Sequence, residues 1–450
     1  MDIERISHRF QRLAEEHCVP GAQLAIHHDG STWELEFGEG QHGTGQALTR
    51  DSKIPVGSIS KTFTATLAMI LVSDGDLELD TPLVDYLPDL RHAPRGLRTR
   101  LTLRHLLSHT GGLPSDTSDV RATSLRRHVL DCCQALEPLH LPGDGFSYSN
   151  IGYVLTGHLI EVVTGMTWWE AMDSVLLAPL GISARFVAGP QDAPGAGLPI
   201  VTGHSVNSVL ERVRPVRQSL AVPEAPAGAV AASATDLVAL GRLHTLDASG
   251  PRAARLIGRD DLREMHRPVP YAEPFGMADG WGLGLALYRN EGTAWLGHDG
   301  TGDGTACHLR IHPDRGTVVA LTTNASTGMA MWRALVDDLN RAGLPVASYN
   351  GPRRPTRPVP PPAGCTGTYV NGGTEYAVSA MPEEKMRLTV DGESYGELTS
   401  YAGLLFSVRD ADTGDDDQTG RFLTDRRTGG IGWIQVGGRL ARRDREREVA

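Results

Sequence analysis

Lysine is scarce in this sequence. Only three of its 43 basic residues are lysines, at positions 53, 61 and 385, and all the others are arginines. Arginine keeps its proton at any working pH, whereas a lysine that is removed from water can lose its proton and act as a base. Base chemistry by a basic side chain other than histidine is therefore restricted to Lys53, Lys61 or Lys385.

Excess positive charge and long apolar runs are also absent. The 450-residue chain has a formal net charge of −11, which argues against nucleic acid or an anionic membrane surface as its main partner. No stretch reaches the roughly 18 apolar residues that a membrane span needs, and the first ten residues lack an apolar signal core. The five cysteines are scattered and odd in number, without metal-site spacing. We therefore expect a cytoplasmic protein with reduced thiols, no metal and no cofactor.

The length and the residue pattern predict two domains joined by a spacer. Residues 1–345 mix strand-like and helix-like segments. Residues 346–362 form a linker rich in proline and arginine, a composition typical of a semi-rigid spacer. Residues 363–450 alternate short β-like runs with turns, which predicts a small antiparallel barrel or sandwich.

Periodicity places the main elements of the first domain. Residues 21–38 are predicted to form two strands joined at His28–Gly30, and a helix is predicted from Ser58 to Asp74. The remaining predicted elements are helices at 101–109, 151–179 and 331–342, and strands at 281–285, 307–311 and 317–321.

The segment Val56–Phe63 contains the first candidate site. Ser58 and Lys61 are three residues apart, so on a helix their side chains share a face and the hydroxyl can meet the amine. This S-x-x-K arrangement is typical of serine acyl-enzymes. Taken alone, the pattern is also compatible with an ordinary helix start that carries a solvated lysine.

Two further segments are candidates for the same site. Tyr148–Asn150 is a Y-x-N triplet that enters a helix, and it would place a phenol and an amide beside Ser58 and Lys61. Trp295–Thr305 is a glycine-rich strand in which His298 would line the pocket. In isolation, the first is equally a loop with a packed tyrosine and a capping asparagine, and the second a hairpin turn.

Together the three segments resemble the serine β-lactamase and penicillin-binding-protein family, especially its class C branch. They occur in that family's order, and the resemblance covers roughly residues 5–345. It implies an α+β domain with an antiparallel sheet flanked by helices, plus a helical subdomain. The supporting stretches are Leu106–Pro114, Pro226–Val230 and Gly280–Gly284.

The resemblance also implies a role for each residue. Ser58 would attack an acyl carbonyl, while Lys61 and Tyr148 would share the base and acid steps. His298 would tune this proton network or protonate the leaving group. The oxyanion hole would consist of the backbone N–H groups of Ser58 and Thr301.

Three further residues are implied in substrate binding, namely Asn150, Asp299 and Gly300. The third motif of the family is commonly K-T-G, whereas this chain has His298–Gly300 in its place. The branch with histidine at that position includes esterases, D-amino-acid peptidases and acyl transferases. Efficient β-lactam hydrolysis is therefore not expected.

The C-terminal region resembles the lipocalin-like β-barrel domain of several such enzymes, on the basis of Gly364–Tyr369 and Gly437–Leu440. The whole layout, including His298–Thr305 followed by Cys307–Arg310, looks most like the penicillin-binding-protein-type thioesterases. These release nonribosomal peptides from a carrier protein by head-to-tail cyclisation at a D-configured C-terminal residue. The implied partner is a peptidyl carrier domain, and Arg439 is predicted to reach the acyl residue.

Two other functions remain open from the sequence, a D-amino-acid-selective peptidase or esterase and a non-catalytic acyl-binding or sensor protein. Metal sites are not predicted. His105 and His109 have the i, i+4 spacing of a helical zinc pair but lack the glutamate of H-E-x-x-H. Asp410–Asp417 lacks the glycine and glutamate of a calcium loop, so an acidic hairpin tip is predicted there.

Overall fold

The structure is a computed structural model in which most of the chain is described. The described residues are 3–117, 120–189, 199–245, 256–290, 292–349, 351, 357–382, 385–410, 418–425 and 427–444. Residues 352–356 of the predicted spacer and residues 411–417 of the predicted acidic tip lie outside these ranges.

An antiparallel sheet of seven strands forms the centre of the first domain, in the order β2-β1-β12-β11-β10-β9-β8. The strand pairs predicted at 21–38 and at 307–321 are confirmed as neighbours in this sheet. Its strands are β1 (Gly21–His28), β2 (Ser31–Gly38), β8 (Gly280–Trp281), β9 (Ala286–Asn290), β10 (Thr293–Gly302), β11 (Thr305–His312) and β12 (Thr317–Thr323). Smaller sheets contain β3 (Ile54–Pro55), β4 (Arg185–Phe186) and β7 (Val230–Ala232), and the hairpin of β5 (Gly203–Asn207) and β6 (Arg212–Val216).

Helices cover both faces of this sheet, and its central strands β1, β11 and β12 are therefore largely buried. On one face α1 and α12 pack together through Phe10, Leu13, Trp332 and Leu335. On the other face α10 packs so closely that a Cβ on Gly241 would lie 2.5 Å from Val318.

The helices of the described residues fall into two groups. The three that cover the sheet are α1 (Ile3–Glu16), α10 (Ala234–Leu243) and α12 (Gly328–Arg341). The others are α2 (Ser60–Ser73), α3 (Arg95–Arg100), α4 (Leu103–Leu107), α5 (Leu125–Ala135), α6 (Asn150–Thr164), α7 (Trp168–Ala171), α8 (Ala178–Leu180), α9 (Ala225–Gly228) and α11 (Arg259–His266). Short 3₁₀ turns occur at Gly57–Ile59, Leu83–Asp85, Pro88–His92, Val222–Glu224 and Ala402–Leu404, and a π segment at Met172–Leu177. Among the helices of the described residues, none combines the length and the apolar character that a membrane span requires.

The strand predicted at 281–285 is shorter than expected, because only Gly280–Trp281 pairs in the sheet. The following glycines bring this segment against its neighbours instead. A Cβ on Gly282 would lie 2.1 Å from the Met265 carbonyl oxygen, and one on Gly284 would lie 2.1 Å from Ala65. The alternation of glycines therefore reflects close packing onto α2 and α11 rather than a continued strand.

The C-terminal region is a closed antiparallel barrel of eight strands, so the predicted barrel is confirmed and a sandwich is excluded. Its interior is filled by apolar side chains, including Tyr369, Leu388, Phe406 and Ile434. The strands are β13 (Gly367–Asn371), β14 (Thr374–Ala380), β15 (Met386–Val390), β16 (Glu393–Tyr401), β17 (Leu405–Asp410), β18 (Gln418–Thr424), β19 (Ile431–Val436) and β20 (Arg439–Arg443).

Candidate active site

Ser58 and Lys61 meet as the S-x-x-K spacing predicts. Ser58 lies in the 3₁₀ turn Gly57–Ile59, which runs directly into α2, so its hydroxyl and the Lys61 amine share a face. Lys61 Nζ donates hydrogen bonds to Ser58 Oγ at 3.1 Å and to the Ala227 carbonyl oxygen at 2.8 Å. The arrangement holds the amine against the hydroxyl that it would deprotonate.

The environment of Lys61 suits a base. The side chain is fully buried, and this burial lowers the pKa of Lys61 to about 7. Asp116 raises that pKa, Arg439 lowers it and Glu224 raises it, all through their charges. A substantial fraction of Lys61 is therefore neutral near pH 7, as general-base catalysis requires.

Tyr148 is the second ionisable group beside this pair. Its ring centroid lies 5.0 Å from Lys61 Nζ. Burial raises the pKa of Tyr148, while the Ser58 side chain and the Arg439 charge lower it. The buried hydroxyl has no hydrogen-bond partner of good geometry among the described residues, so it is available to a substrate or leaving group.

His109 supports Tyr148 from behind, a role that the sequence analysis missed. The two rings lie 4.3 Å apart, and His109 also contacts the rings of Phe146, Tyr153 and Trp281. His109 Nδ1 accepts a hydrogen bond from the backbone N–H of Ser149 at 3.0 Å. Burial lowers the pKa of His109 well below its usual value, so this histidine is neutral and packs against the Tyr148 ring.

The edge of β10 forms the opposite wall of the site. Strand β9 pairs with β10 only as far as Gly297, which leaves the next residues of that edge without a neighbouring strand. They face the Ser58 segment instead. A Cβ on Gly300 would lie 2.0 Å from the Val56 carbonyl oxygen, and one on Gly57 would lie 2.2 Å from that of Thr301.

Both glycines are therefore required for this backbone approach, and Gly57 also has a positive φ of 51°. The approach brings the backbone amides of Ser58 and Thr301 to neighbouring positions. A Cβ on Gly300 would lie 3.1 Å from the Ser58 nitrogen, and one on Gly57 would lie 3.0 Å from the Thr301 nitrogen. Such a pair of amides is the arrangement from which an oxyanion hole is made.

His298 points from β10 toward Tyr148, and the two ring centroids are 6.2 Å apart. Its Nδ1 lies 2.6 Å from the Asp299 carbonyl oxygen, so this nitrogen carries the proton and Nε2 has a free lone pair. Burial lowers the pKa of His298 to about 4, and the Lys61 charge contributes. His298 is therefore neutral near pH 7, and its buried Nε2 has no partner among the described residues.

Asp299 is not brought into the cleft with the other predicted residues. Successive strand residues point to opposite faces, so its side chain lies on the face away from His298. Its two oxygens accept hydrogen bonds from Arg310 at 2.7 and 3.0 Å and from His308 at 2.8 Å. Burial raises the pKa of Asp299, but Arg310 and His308 outweigh it and hold that pKa well below its usual range.

Asn150 lies at the start of α6 and lines the cleft beside Ser58. Its Nδ2 donates a hydrogen bond to Asp116 Oδ1 at 2.6 Å, which orients the amide. Asp116 was not identified from the sequence, although it acts on Asn150 by this bond and on Lys61 by its charge.

Arg439 of the barrel reaches the same site. Its guanidinium carbon lies 5.3 Å from the Tyr148 ring centroid. The side chain forms no ion pair and no hydrogen bond with any residue that the structure describes. Just before it in the chain, the Gly438 carbonyl oxygen accepts a hydrogen bond from the Tyr148 backbone N–H at 3.0 Å.

Asn371 is a second barrel residue at the site, and sequence reasoning missed it. Its side chain is fully buried between the two domains. Oδ1 accepts from the Ser115 backbone N–H at 2.7 Å, and Nδ2 donates to the Leu440 carbonyl oxygen at 2.9 Å and to Ser147 Oγ at 3.4 Å. Ser115 Oγ in turn donates to the Tyr148 carbonyl oxygen at 2.9 Å. Asn371 thus ties the barrel to the loop that carries Tyr148.

A cleft of about 390 Å³ opens at Ser58. Its lining includes the polar side chains of Gln218, Ser219, Glu224 and Asp303. Among the described residues, no group of three or more histidine, cysteine, aspartate or glutamate side chains is placed to hold a metal ion. The assembled groups are a nucleophile, a base of lowered pKa, a phenol and paired backbone amides, which together suit acyl transfer through an ester on Ser58.

The family described as "Beta-lactamase" matches residues 6–340. This chain belongs to the beta-lactamase family. The match covers the seven-stranded sheet, its helices and Ser58, Lys61, Tyr148 and His298, while the barrel lies beyond it. The predicted class C β-lactamase-like fold, with an additional barrel of eight strands, is confirmed.

Individual members of the family extend the similarity to the barrel. The chain is 34% identical to penicillin-binding protein 4 of Amycolatopsis lactamdurans over 371 residues, which cover 81% of this chain and 97% of that protein. The crystal structure of SurE has a TM-score of 0.85 and 39% identity, covering 98% of this chain and 99% of SurE. SurE has also been solved with D-Leu. The octameric penicillin-binding protein homologue of Pyrococcus abyssi has a TM-score of 0.63 at 20% identity, which shows the shared fold alone; it covers 98% of this chain and 100% of its own.

Proposed function

We propose that this protein is a serine acyl transferase that releases a nonribosomal peptide from a carrier-bound thioester and closes it head to tail. The acyl group would be held as an ester on Ser58, and its C-terminal residue would have the D configuration. The observation that carries the proposal is the contact of 3.1 Å between Ser58 Oγ and a fully buried Lys61 whose pKa is lowered to about 7.

In the first step, Ser58 Oγ attacks the thioester carbonyl carbon and passes its proton to Lys61. The C–O bond forms, the negative oxygen is received by the amides of Ser58 and Thr301, and the C–S bond breaks. The departing thiolate takes a proton from the Lys61–Tyr148 pair. Removing one such amide donor typically costs about 10²–10³-fold in rate.

In the second step, the amino terminus of the same peptide attacks the Ser58 ester. The C–N bond forms, the C–O bond breaks, and Ser58 Oγ regains a proton. The attacking amine must lose a proton, and the free Nε2 of neutral His298 and the neutral amine of Lys61 are suitable acceptors. Holding the amine near the ester makes this step intramolecular and gives it a large effective concentration.

The position of the barrel supports our proposal that the acyl group is transferred to an amine rather than to water. Its β19–β20 turn lies on the Tyr148 loop through Gly438, and it places Arg439 beside the acyl site. We propose that this cover limits water and that Arg439 contacts the acyl residue. The D configuration is supported by the resemblance of the motifs to penicillin-binding-protein-type thioesterases and by the 39% identity to SurE, which was solved with D-Leu.

Hydrolysis by a D-selective peptidase or esterase is the second candidate. It is favoured by the polar lining of the cleft at Gln218, Ser219 and Glu224, which can hold water beside the ester. The two candidates share Ser58, Lys61 and Tyr148 and differ only in the group that attacks the acyl-enzyme.

A peptidyl thioester that ends in a D-residue distinguishes the candidates. The purified protein and a Ser58→Ala variant are incubated with the thioester, and the products are weighed by mass spectrometry. A Ser58-dependent product lighter than the linear acid by one water is expected for cyclisation. Linear acid as the sole product across several peptide sequences would replace the proposal with the hydrolase, and no Ser58-dependent product would reject both. The L-configured thioester is the control and should react more slowly.

A further inference from the structure

The hairpin of β5 and β6 combines an exposed aliphatic tip with a cluster of exposed arginines. At its tip Val209 and Leu210 are 85% and 59% exposed, although they are aliphatic. Arg212 and Arg214 follow on β6 and Arg217 comes directly after it, and all three are exposed. None of the three forms an ion pair or a hydrogen bond with a described residue. Glu211 is the one acidic residue among residues 203–217, so this segment has an excess of positive charge on a chain whose formal net charge is −11.

The base of the hairpin is fixed to the catalytic domain beside the end of β10. The His204 backbone N–H donates to the Gly304 carbonyl oxygen at 2.8 Å. Beyond β6, Ser219 donates from its backbone N–H to Asp303 Oδ2 at 2.6 Å and from its hydroxyl at 2.9 Å. Because Asp303 and Gly304 follow Thr301 by two and three residues, the hairpin stands at the mouth of the cleft with both ends held.

A second cavity connects the hairpin to Ser58. It has a volume of about 470 Å³ and is lined on the hairpin side by Val216 and Arg217. Val187 and Gln218 line both this cavity and the Ser58 cleft. The shared lining places the hairpin next to the cleft that a flexible acyl chain must enter.

We propose that this hairpin is the docking surface for the protein that delivers the acyl group. The proposal rests on the proposed function and names the surface that its partner would use. The fitting partner is a small carrier domain with an acidic, partly apolar face and the acyl group on a flexible thiol arm. Exposed arginines beside apolar side chains are typical of protein interfaces, and the charge of this patch selects a negative partner.

An anionic membrane is the other negative surface that such a patch would contact. The structure favours the carrier because the patch is fixed at the entrance of the acyl site. A carrier must bring its thioester to that entrance, whereas membrane binding has no reason to be confined there. The net charge of −11 also opposes a broad anionic surface more than a small domain.

The test compares one peptide on two thiols. A purified peptidyl carrier domain bears the D-terminated peptide on its arm, and the same peptide is also prepared as a small N-acetylcysteamine thioester. For the Arg212→Glu/Arg214→Glu variant we expect KM for the carrier-bound peptide to rise about tenfold, with a weaker salt dependence. For the small thioester, kcat and KM should both be unchanged, since neither arginine lines the Ser58 cleft.

Val209→Ser/Leu210→Ser is the second variant, and it should raise the same KM without changing the salt dependence. Arg91→Glu/Arg95→Glu is the matched charge control, because these exposed arginines lie on other elements and away from the cleft lining. The control should behave like the unaltered protein with both substrates.

Binding to the loaded carrier domain is also measured by calorimetry in the Ser58→Ala background, where no turnover occurs. An unchanged KM and dissociation constant in the Arg212/Arg214 variant would overturn the docking surface while leaving the proposed function intact. An equal loss of kcat/KM with both thioesters would also overturn the docking surface, since such a loss indicates damage to the cleft. Binding to phosphatidylglycerol vesicles but not to the carrier would assign the patch to a membrane. Failure of the proposed function is separate, because the unaltered protein would then form no cyclic peptide from either thioester.

Discussion

The sheet edge at β10 and the barrel turn at β19–β20 meet on Tyr148, and they use charge in opposite ways. On the sheet, the carboxylate of Asp299 is bound by Arg310 and His308, and His298 is neutral near pH 7. On the barrel, Arg439 is paired with no described residue and lies 5.3 Å from the Tyr148 ring centroid. The carboxylate of the sheet is thus neutralised within the sheet, whereas the barrel places beside Tyr148 a cation that no described residue pairs.

The third family motif has no cation in this chain. Where the family commonly has K-T-G, this chain has a neutral histidine, so the strand brings no positive charge to the cleft. The Arg439 charge lowers the pKa of both Lys61 and Tyr148. The barrel is therefore part of the electrostatics of the active site, and variants in the two domains should affect catalysis differently.

The largest effect is expected for the base itself. Lys61→Arg keeps a cation beside Ser58 but removes a group that can give up its proton, so kcat should fall about 10²–10⁴-fold. The rate of thiol release from a D-terminated thioester measures the loss, with circular dichroism to confirm folding. If the Lys61→Arg variant released thiol at the rate of the unaltered protein, a base role for Lys61 would be contradicted.

Asn371→Ala should give the next largest effect, because it breaks the link between the barrel and the Tyr148 loop. Loss of this side chain leaves the buried Ser115 N–H and Leu440 carbonyl without partners, at a cost of about 1–3 kcal/mol in stability. A displaced Tyr148 should also lower kcat, by up to about 10²-fold for a shift near 1 Å, with little change in KM.

Gln435→Ala is the matched control for Asn371→Ala. Gln435 is also buried in the barrel and contacts the catalytic domain, but through the Glu273 carbonyl oxygen rather than the Tyr148 loop. It should lower the melting temperature without lowering kcat. Equal kinetic losses in both variants would show that barrel docking in general, and not Asn371, positions Tyr148.

Two charge variants should shift the pH profile in opposite directions. Lys61 must be neutral to act, so kcat/KM should rise with pH through about 7. Arg439→Gln removes a charge that lowers the pKa of Lys61, so the rising limb should move to higher pH. Asp116→Asn removes a charge that raises this pKa, so the limb should move to lower pH. Profiles that coincide with that of the unaltered protein would exclude Lys61 as the titrating group.

The smallest effect is expected for Glu273→Ala, at another contact between the barrel and the catalytic domain. Arg421 pairs with Glu273, whose side chain is 69% exposed, and such pairs contribute about 0–1 kcal/mol. Chemical denaturation should detect little change, and kcat should be unaltered. A loss of activity would extend the catalytic influence of the barrel beyond the Tyr148 loop.

Local patterns were sufficient for much of the site. Ser58 and Lys61 meet because helical geometry brings i and i+3 together, and Asn150 begins a helix as its triplet predicted. Strand alternation explains why Asp299 leaves the cleft while His298 enters it. The strand predicted at 281–285 failed because Gly282 and Gly284 pack against other elements, a contact that no local pattern contains.

The residues that sequence reasoning missed act over long separations. Asn371 binds Ser115 across 256 positions, and His109 holds the Ser149 backbone across 40. The charge of Asp116 raises the pKa of Lys61. A single asparagine, histidine or aspartate has no periodicity of its own, so its role depends on which loop the fold places beside it.

Spacing along short segments and strand periodicity were enough to predict that Ser58 meets Lys61, the order of the motifs and the barrel. The pKa of Lys61, the position of the barrel over the Tyr148 loop and the lack of an ion pair between Arg439 and any described residue follow only from the folded chain. Those properties depend on burial and on distances between charges, which arise when segments hundreds of residues apart pack together.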